Sequence, residues 1–436
     1  MTALPSKIEQ SAMRTITWRL LPYLMLCYFV SYIDRINVGF AALQMRGDVN
    51  LSADNFGLGA SLFLITYSVF SVPSNIALQR IGARRWIALI MFVWGLLSMG
   101  MALTTGPYSF YAFRLLIGAT EAGFLPGVIF YISLWFPKHY RARVSALFLV
   151  AIPASSFVGS PLSGALMELH GWHGLSGWQW LFIFEGLPAA LLALGCLKLL
   201  PDRPADARWL AADARDWLQE KLEAEGHESK TADKLGIWQT LCNRYVLALC
   251  LIYSGVISVG ISLSLWQPQI IKSFGLSDFQ TGMLSAIPFG VATLTMILWG
   301  RSSDQRDERT WHTALPLALS GLALAASLVF HSLTATIIIL TLALVGTYAA
   351  KGPFWAMVTQ WLSSSTAATG IAVVSSAGSL AAALSTYLLG VIQQKTGSFS
   401  LALLPLIALA LVGTLVLFAV GVQNRRELAA GTGAST

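Results

Sequence analysis

Six charged side chains sit inside long apolar runs of this chain: the acids Asp34, Glu121 and Glu185 and the bases Arg35, Arg114 and Lys351. At the centre of a membrane helix each costs about 2.5 kcal/mol or more, so each needs a partner, a water-filled cavity or both. Arg114 and Glu121 are seven residues apart. That spacing puts them on one helical face, about 10 Å apart along the axis, able to share a cavity without pairing. Two readings of them stay open. They belong to an ion network that fixes the packing of two helices, or Glu121 carries a proton whose affinity changes as Arg114 moves. Asp34 and Arg35 are adjacent and project about 100° apart, so one can face a central cavity while the other faces a neighbouring helix. An internal Asp34/Arg35 network that only gates is the alternative. Lys351 precedes Gly352-Pro353, where a broken helix could turn its amine toward the cavity, or it snorkels to the membrane surface. Glu185 follows an aromatic run near the outer end of its span and reads as a packing or gating residue, with a proton role as second choice.

The elements that must position these groups are apolar. Of the 436 residues 56% are hydrophobic and only 11% charged. An ordinary soluble enzyme carries about a quarter charged residues, so that class is excluded. Stretches of about 20 residues, enough to cross the hydrocarbon core, occur near 17–41, 53–78, 84–104, 108–136, 143–167 and 178–200. After a charged segment come 244–271, 279–300, 312–331, 334–361, 367–392 and 398–422. The expected fold is therefore an all-α membrane protein of twelve transmembrane helices in two pseudo-symmetric six-helix halves. Its divisions are residues 1–200, a cytoplasmic linker at 201–243, and 244–436. In the linker, Arg208 to Glu225 has the spacing of an amphipathic helix lying on the inner membrane surface.

With the N-terminus placed in the cytoplasm, Lys and Arg gather on the inner side. The exceptions are Arg46, Lys272 and Lys395 outside and the three bases within spans. This scatter in short loops is a topology signal and does not form a nucleic-acid-binding face, so the net charge of +7 implies no nucleic acid partner. Cys27, Cys196, Cys242 and Cys250 show no CxxC spacing, which argues against a metal site or disulfide framework. No HExxH, GxSxG or Walker A pattern is present, so an enzyme or an ATP-driven pump lacks its parts. The first apolar stretch runs past 20 residues and carries Asp34 and Arg35, unlike a cleaved signal.

A repeat ties the halves together. Asn75–Arg85 after the second span and Gly300–Arg309 after the eighth are both short and basic and fall at the same point of a six-span half. Such twofold plans place a substrate between the halves near the bilayer midplane. The ordered motifs are Tyr32-Ile-Asp-Arg-Ile-Asn37, Pro73-Ser-Asn75 with Gly82-Ala-Arg-Arg-Trp86, and the run from Arg114 through Glu121 to Pro126. Trp135-Phe-Pro137 with Arg141, Glu185-Gly186 and Gly352-Pro-Phe-Trp355 follow. On these motifs the chain resembles the major facilitator superfamily over its whole length. Within it the likeness is to the anion:cation symporter branch of bacterial tartrate, sugar-acid, phthalate and hydroxyphenylacetate permeases.

The resemblance implies that Asp34 and Glu121 are coupled to protons and that Arg35 grips a substrate carboxylate. A guanidinium suits that grip, since it offers a planar fork and stays charged. Tyr32, Tyr67 and Trp355 match positions lining the site in those symporters, and Ser156, Gln267, Ser375 and Ser379 are further candidates for the wall. Ser375 and Ser379 stand where the relatives commonly carry Asn, which favours a small or partly apolar carboxylate over a sugar acid with many hydroxyls. Arg114, Lys351, Glu185 and Asp304 are expected to couple or gate. Gln79 replaces the usual acid of the 2–3 loop, while Asp304 in the 8–9 loop can pair with arginines across the halves. The expectation is a proton-coupled symporter of a small organic carboxylate in a bacterial inner membrane, a monomer with both termini cytoplasmic and protons in place of any cofactor. An uncoupled uniporter or exporter with structural acids is the alternative.

Overall fold

The computed structural model describes residues 7–228, 243–362 and 364–433, and they are almost wholly helical. The first half comprises α1 (Lys7–Asp48), α2 (Ala53–Ile81), α3 (Ala83–Gly100), α4 (Pro107–Glu121), α5 (Phe124–Trp135), α6 (Lys138–Leu149), α7 (Ala151–Met167) and α8 (Gly177–Leu199). The linker carries α9 (Ala212–Glu228). The second half comprises α10 (Arg244–Lys272), α11 (Asp278–Arg306), α12 (Thr310–Ala326), α13 (Leu333–Trp361), α14 (Ser364–Thr396), α15 (Phe399–Ala402) and α16 (Leu404–Gly433). Lys230, Lys234 and Cys242 lie outside the described residues, as do the side chains of Arg143, Arg425 and Arg426.

Proline explains where predicted spans break. A proline cannot donate to the carbonyl four residues back, and its ring crowds that carbonyl. Pro126 thereby frees Ala122, and the fourth span divides into α4 and α5 around Ala122-Gly123. Pro153 frees Leu149, and the fifth divides into α6 and α7 at Val150. Ten helical segments among the described residues are long and apolar enough to cross a membrane. The fifth and ninth predicted spans correspond to α6–α7, which is interrupted and begins polar, and to α12, which has 17 residues. Outward rows of apolar side chains, such as Leu187, Leu191 and Leu194 on α8 and Leu294 and Leu298 on α11, stand exposed at helical spacing, as a lipid-facing surface requires.

Within the first half α1 packs on α7 and α8, α3 on α8, and α2 on α4; within the second α12 packs on α13 and α16, and α10 on α14 and α16. Besides α1 on α10, two seams join the halves, α2 against α14 and α7 against α11. Both are drawn tight by facing glycines. A Cβ on Gly390 would fall 2.5 Å from the Ala53 carbonyl oxygen and 3.2 Å from Gly57 Cα, and one on Gly282 would fall 2.5 Å from the Ser160 carbonyl oxygen. Hydrogen bonds reinforce this end of the bundle. Gln44 Nε2 donates to Asp278 Oδ2 (2.7 Å), Arg46 Nη1 to Gln269 Oε1 (2.7 Å) and the Ala53 amide to Gln394 Oε1 (3.0 Å). Lys272 Nζ lies 2.7 Å from Asp278 Oδ1. The halves are closed at the end that carries the α1–α2 turn.

The linker differs from expectation in start and surroundings. Its helix begins at Ala212, with Trp209 and Leu210 ahead of it. Trp209 stacks on Trp135 (5.7 Å between centroids), and Leu210, Ala214 and Leu218 are buried in the first half's own core. Glu225 caps α6, accepting from the Lys138 amide at 3.0 Å. The apolar side of α9 is thus covered by protein, where the sequence reading laid it on the membrane surface.

Candidate functional site

Arg35 and Glu121 form the centre of the site. Arg35 Nε donates to Glu121 Oε1 at 2.6 Å, and Ser31 Oγ donates to the same oxygen at 2.7 Å. Ser31 and Arg35 are one turn apart on α1, so both meet the carboxylate that α4 delivers at its last residue. The break after Glu121 brings α2 close, because Gly123 leaves no Cβ to strike Ser74, whose hydroxyl accepts from Trp86 Nε1 at 3.0 Å. Three aromatic rings surround the guanidinium of Arg35, Tyr67 at 4.7 Å, Tyr32 at 5.6 Å and Phe63 at 5.8 Å. Its Nη2 is buried without a partner.

Arg114 lies on the same face of α4 but bonds elsewhere in kind. Its guanidinium sits over the Phe63 ring at 4.4 Å, and its Nε is buried without a hydrogen-bond partner. Tyr32, Arg35, Phe63 and Arg114 of the first half and Ile261 and Ser264 of the second line a cavity of about 50 Å³. It lies where the two halves meet.

Asp34 points the other way. Trp94 Nε1 donates to its Oδ2 at 3.0 Å, and Ser98 Oγ and Asn37 Nδ2 donate to its Oδ1 at 3.1 and 3.4 Å. Trp94 and Ser98 are one turn apart on α3, which gives the carboxylate a socket of neutral donors away from the cavity. Glu185, buried on α8, accepts from Ser163 Oγ at 2.7 Å, and its Oε2 has no partner.

The remaining candidates divide. Tyr32 and Tyr67 are at the centre. Lys351 places its ammonium over the Tyr348 ring at 4.1 Å, and Trp355, one turn on, packs edge-on against Tyr253 at 4.9 Å. Ser156 is fully buried and its hydroxyl is spent on the Ile152 carbonyl of its own helix. Gln267 donates to the Ser285 carbonyl at 2.9 Å, tying α10 to α11. Ser379 donates to the Ser375 carbonyl at 3.0 Å along α14, and neither serine lines the cavity. Asp304 pairs with Arg309 of its own loop at 2.6 Å, so the cross-half pairing expected of it is not made in this state. Sequence reasoning passed over Ser31, Phe63, Ser264 and Tyr348. Helical spacing held a signal for three of them, since Ser31 is four residues from Arg35, Phe63 four from Tyr67 and Tyr348 three from Lys351.

Comparison with known proteins bears on this geometry. The sequence pattern of the Major Facilitator Superfamily matches residues 24–386. An Agrobacterium vitis protein named "Putative tartrate transporter" is 43% identical over 97% of this chain and 98% of its own length. The quinolone resistance transporter of Acinetobacter baumannii is 37% identical over 96% of this chain and 97% of its own. The inner membrane transport protein RhmT of Escherichia coli K12 is 34% identical over 93% and 94%. Among solved structures, a bacterial homolog of the human lysosomal transporter Spinster, inward-facing and occupied, superposes with a TM-score of 0.73 at 18% identity, covering 92% of this chain and 96% of that one. The D-xylose-proton symporter superposes with a TM-score of 0.72 at 15% identity over 92% and 96%.

Proposed function

The chain belongs to the major facilitator superfamily, and from that premise we propose that this multi-pass membrane transporter takes up a small organic carboxylate together with protons. The observation that carries the reading is the 2.6 Å contact of Arg35 with Glu121 at a cavity lined by both halves. In the empty carrier Glu121 occupies the guanidinium. A substrate carboxylate presents the same planar pair of oxygens and competes for the same fork. Once displaced, Glu121 has Ser31 but no counterion, and a proton restores its neutrality. Substrate and proton are then bound together by charge balance. Asp34, adjacent to Arg35 on α1 and held by neutral donors, is the second proton carrier in this reading.

The same reading orients the molecule. With basic loops in the cytoplasm, the closed end faces outward and the bundle stands in the inward-facing state. Residues 1–200 and 244–436 are the rocking units, and 201–243 the cytoplasmic linker. A monomer suffices, since one chain supplies both walls of the cavity. Placement in a bacterial inner membrane draws support from the name of the E. coli relative, and the carboxylate class from that of the A. vitis relative.

A panel of mono- and dicarboxylates, hydroxy acids and aromatic acids tested by thermal shift checks the substrate class, because a ligand of the folded state raises its apparent stability. Carboxylates are expected to stabilise the wild type, and Arg35→Lys is expected to weaken them at least about tenfold, a point charge replacing a fork. Near-normal affinity in that variant would exclude Arg35 as the clamp. The alternative of an exporter rests on the name of the A. baumannii relative. It predicts stabilisation by cationic or neutral compounds and a flat carboxylate panel.

A further inference from the structure

The carboxylate reading leaves a charge unaccounted for, and the following rests on that reading. Three cations approach the cavity, Arg35 and Arg114 from the first half and Lys351 from the second. Glu121 pairs directly with Arg35, whereas among the described residues Arg114 and Lys351 rest on aromatic faces with no carboxylate in direct contact. Among the described residues no carboxylate lies within ion-pairing distance of Lys351. The empty site therefore carries two positive charges beyond its own acid, in a region where an unmatched charge is costly.

Lys351 is placed to act on a ligand. Its Nζ lies beside Gly260 of α10, where a Cβ would stand 3.9 Å from it. Gly260 is one turn before Ser264, which lines the cavity together with Arg35 and Tyr32. Tyr348, under the ammonium, is fully buried, so the aromatic seat is fixed. Snorkelling does not explain the position. Lys351 is ten residues from the end of α13 at Trp361, about 15 Å of helix, beyond the reach of a lysine stem.

We propose that Lys351 is a second anion anchor, supplied by the half opposite Arg35, and that it makes the carrier selective for small dianions whose two carboxylates are held from the two halves. One carboxylate takes the Arg35 fork. The other, extended toward α10 and α13, meets the lysine ammonium, so that with Glu121 protonated both Arg35 and Lys351 have an anionic partner. A monoanion leaves Lys351 unanswered.

The test uses full-length protein at pH 7 and paired probes of equal length: tartrate with its half-amide, malate with its half-amide, succinate with succinamate. Binding is read by calorimetry on wild type, Lys351→Gln, Lys351→Arg and Arg35→Gln. At least one dianion is expected to bind wild type tenfold or more tightly than its half-amide. Lys351→Gln should bring that dianion down to the half-amide's affinity while leaving the half-amide unchanged, and Lys351→Arg should restore the preference. Lys351→Met, which keeps the stem on Tyr348, stands in if the Gln variant does not fold. Equal loss for both members of a pair, no loss for either, or a wild type that does not prefer the dianion overturns the proposal while half-amide binding, lost in Arg35→Gln, upholds the carboxylate site. A wild type that binds no member of any pair overturns both.

Discussion

Glu121 holds Arg35 and Ser31 on one oxygen, and removing its two contacts has different costs for different substitutions. Glu121→Ala leaves a half-buried guanidinium without a counterion, a loss for which the about 3–5 kcal/mol of a fully buried pair is an upper bound. Glu121→Gln keeps a carbonyl oxygen for both donors. Unfolding followed by heat or denaturant should therefore rank the wild type above Gln and Gln well above Ala; equal losses would mean that the pair is not a structural unit. The charged candidates themselves were legible, because six ionisable groups in apolar spans stand out by cost alone. Their pairings were not, since Arg35 and Glu121 are 86 residues apart and helical periodicity fixes only neighbours on one helix. Ser156, Gln267 and Ser379 show the opposite limit. A polar side chain within a span satisfies its own helix or a neighbour as readily as a ligand, and the sequence does not distinguish these uses.

At the scale of elements, proline and glycine carry most of what could be read. Pro126 and Pro153 each lie three residues past the break in the fourth and fifth spans. The extension of α1 from Lys7 to Asp48, well past the predicted 17–41, escaped because its first turns are polar and hydropathy does not register them. The facing glycines also escaped, since no local pattern says which helices will meet. Their closeness has a measurable consequence. Gly390→Ala and Gly282→Ala each place a methyl group against a backbone carbonyl across a seam, so each should shift the population away from the closed end. Distances between spin labels on the Asp48–Ala53 and Thr396–Phe399 turns should lengthen in both variants, and unchanged distributions would show that the seams absorb the methyl without moving.

For the whole molecule, the all-α membrane class followed from composition and the length of the apolar runs, whereas the state of the carrier did not. Open and closed arrangements share one sequence and differ by a few kcal/mol. Asp304 illustrates this, paired here with Arg309 of its own loop. Gln79→Asp supplies a second acid at the corresponding first-half loop and should raise the outward-open population; an unchanged distribution would remove that loop from the gate. The central claim is that carboxylate and proton move together through the Arg35–Glu121 pair. Proteoliposomes holding a pH-sensitive dye, with no imposed gradient and a carboxylate added outside, test it most directly. The lumen should acidify as the carboxylate enters, and in Glu121→Gln acidification and uphill uptake should vanish while counterflow exchange persists. Carboxylate entry into wild-type vesicles with no movement of protons would contradict the account.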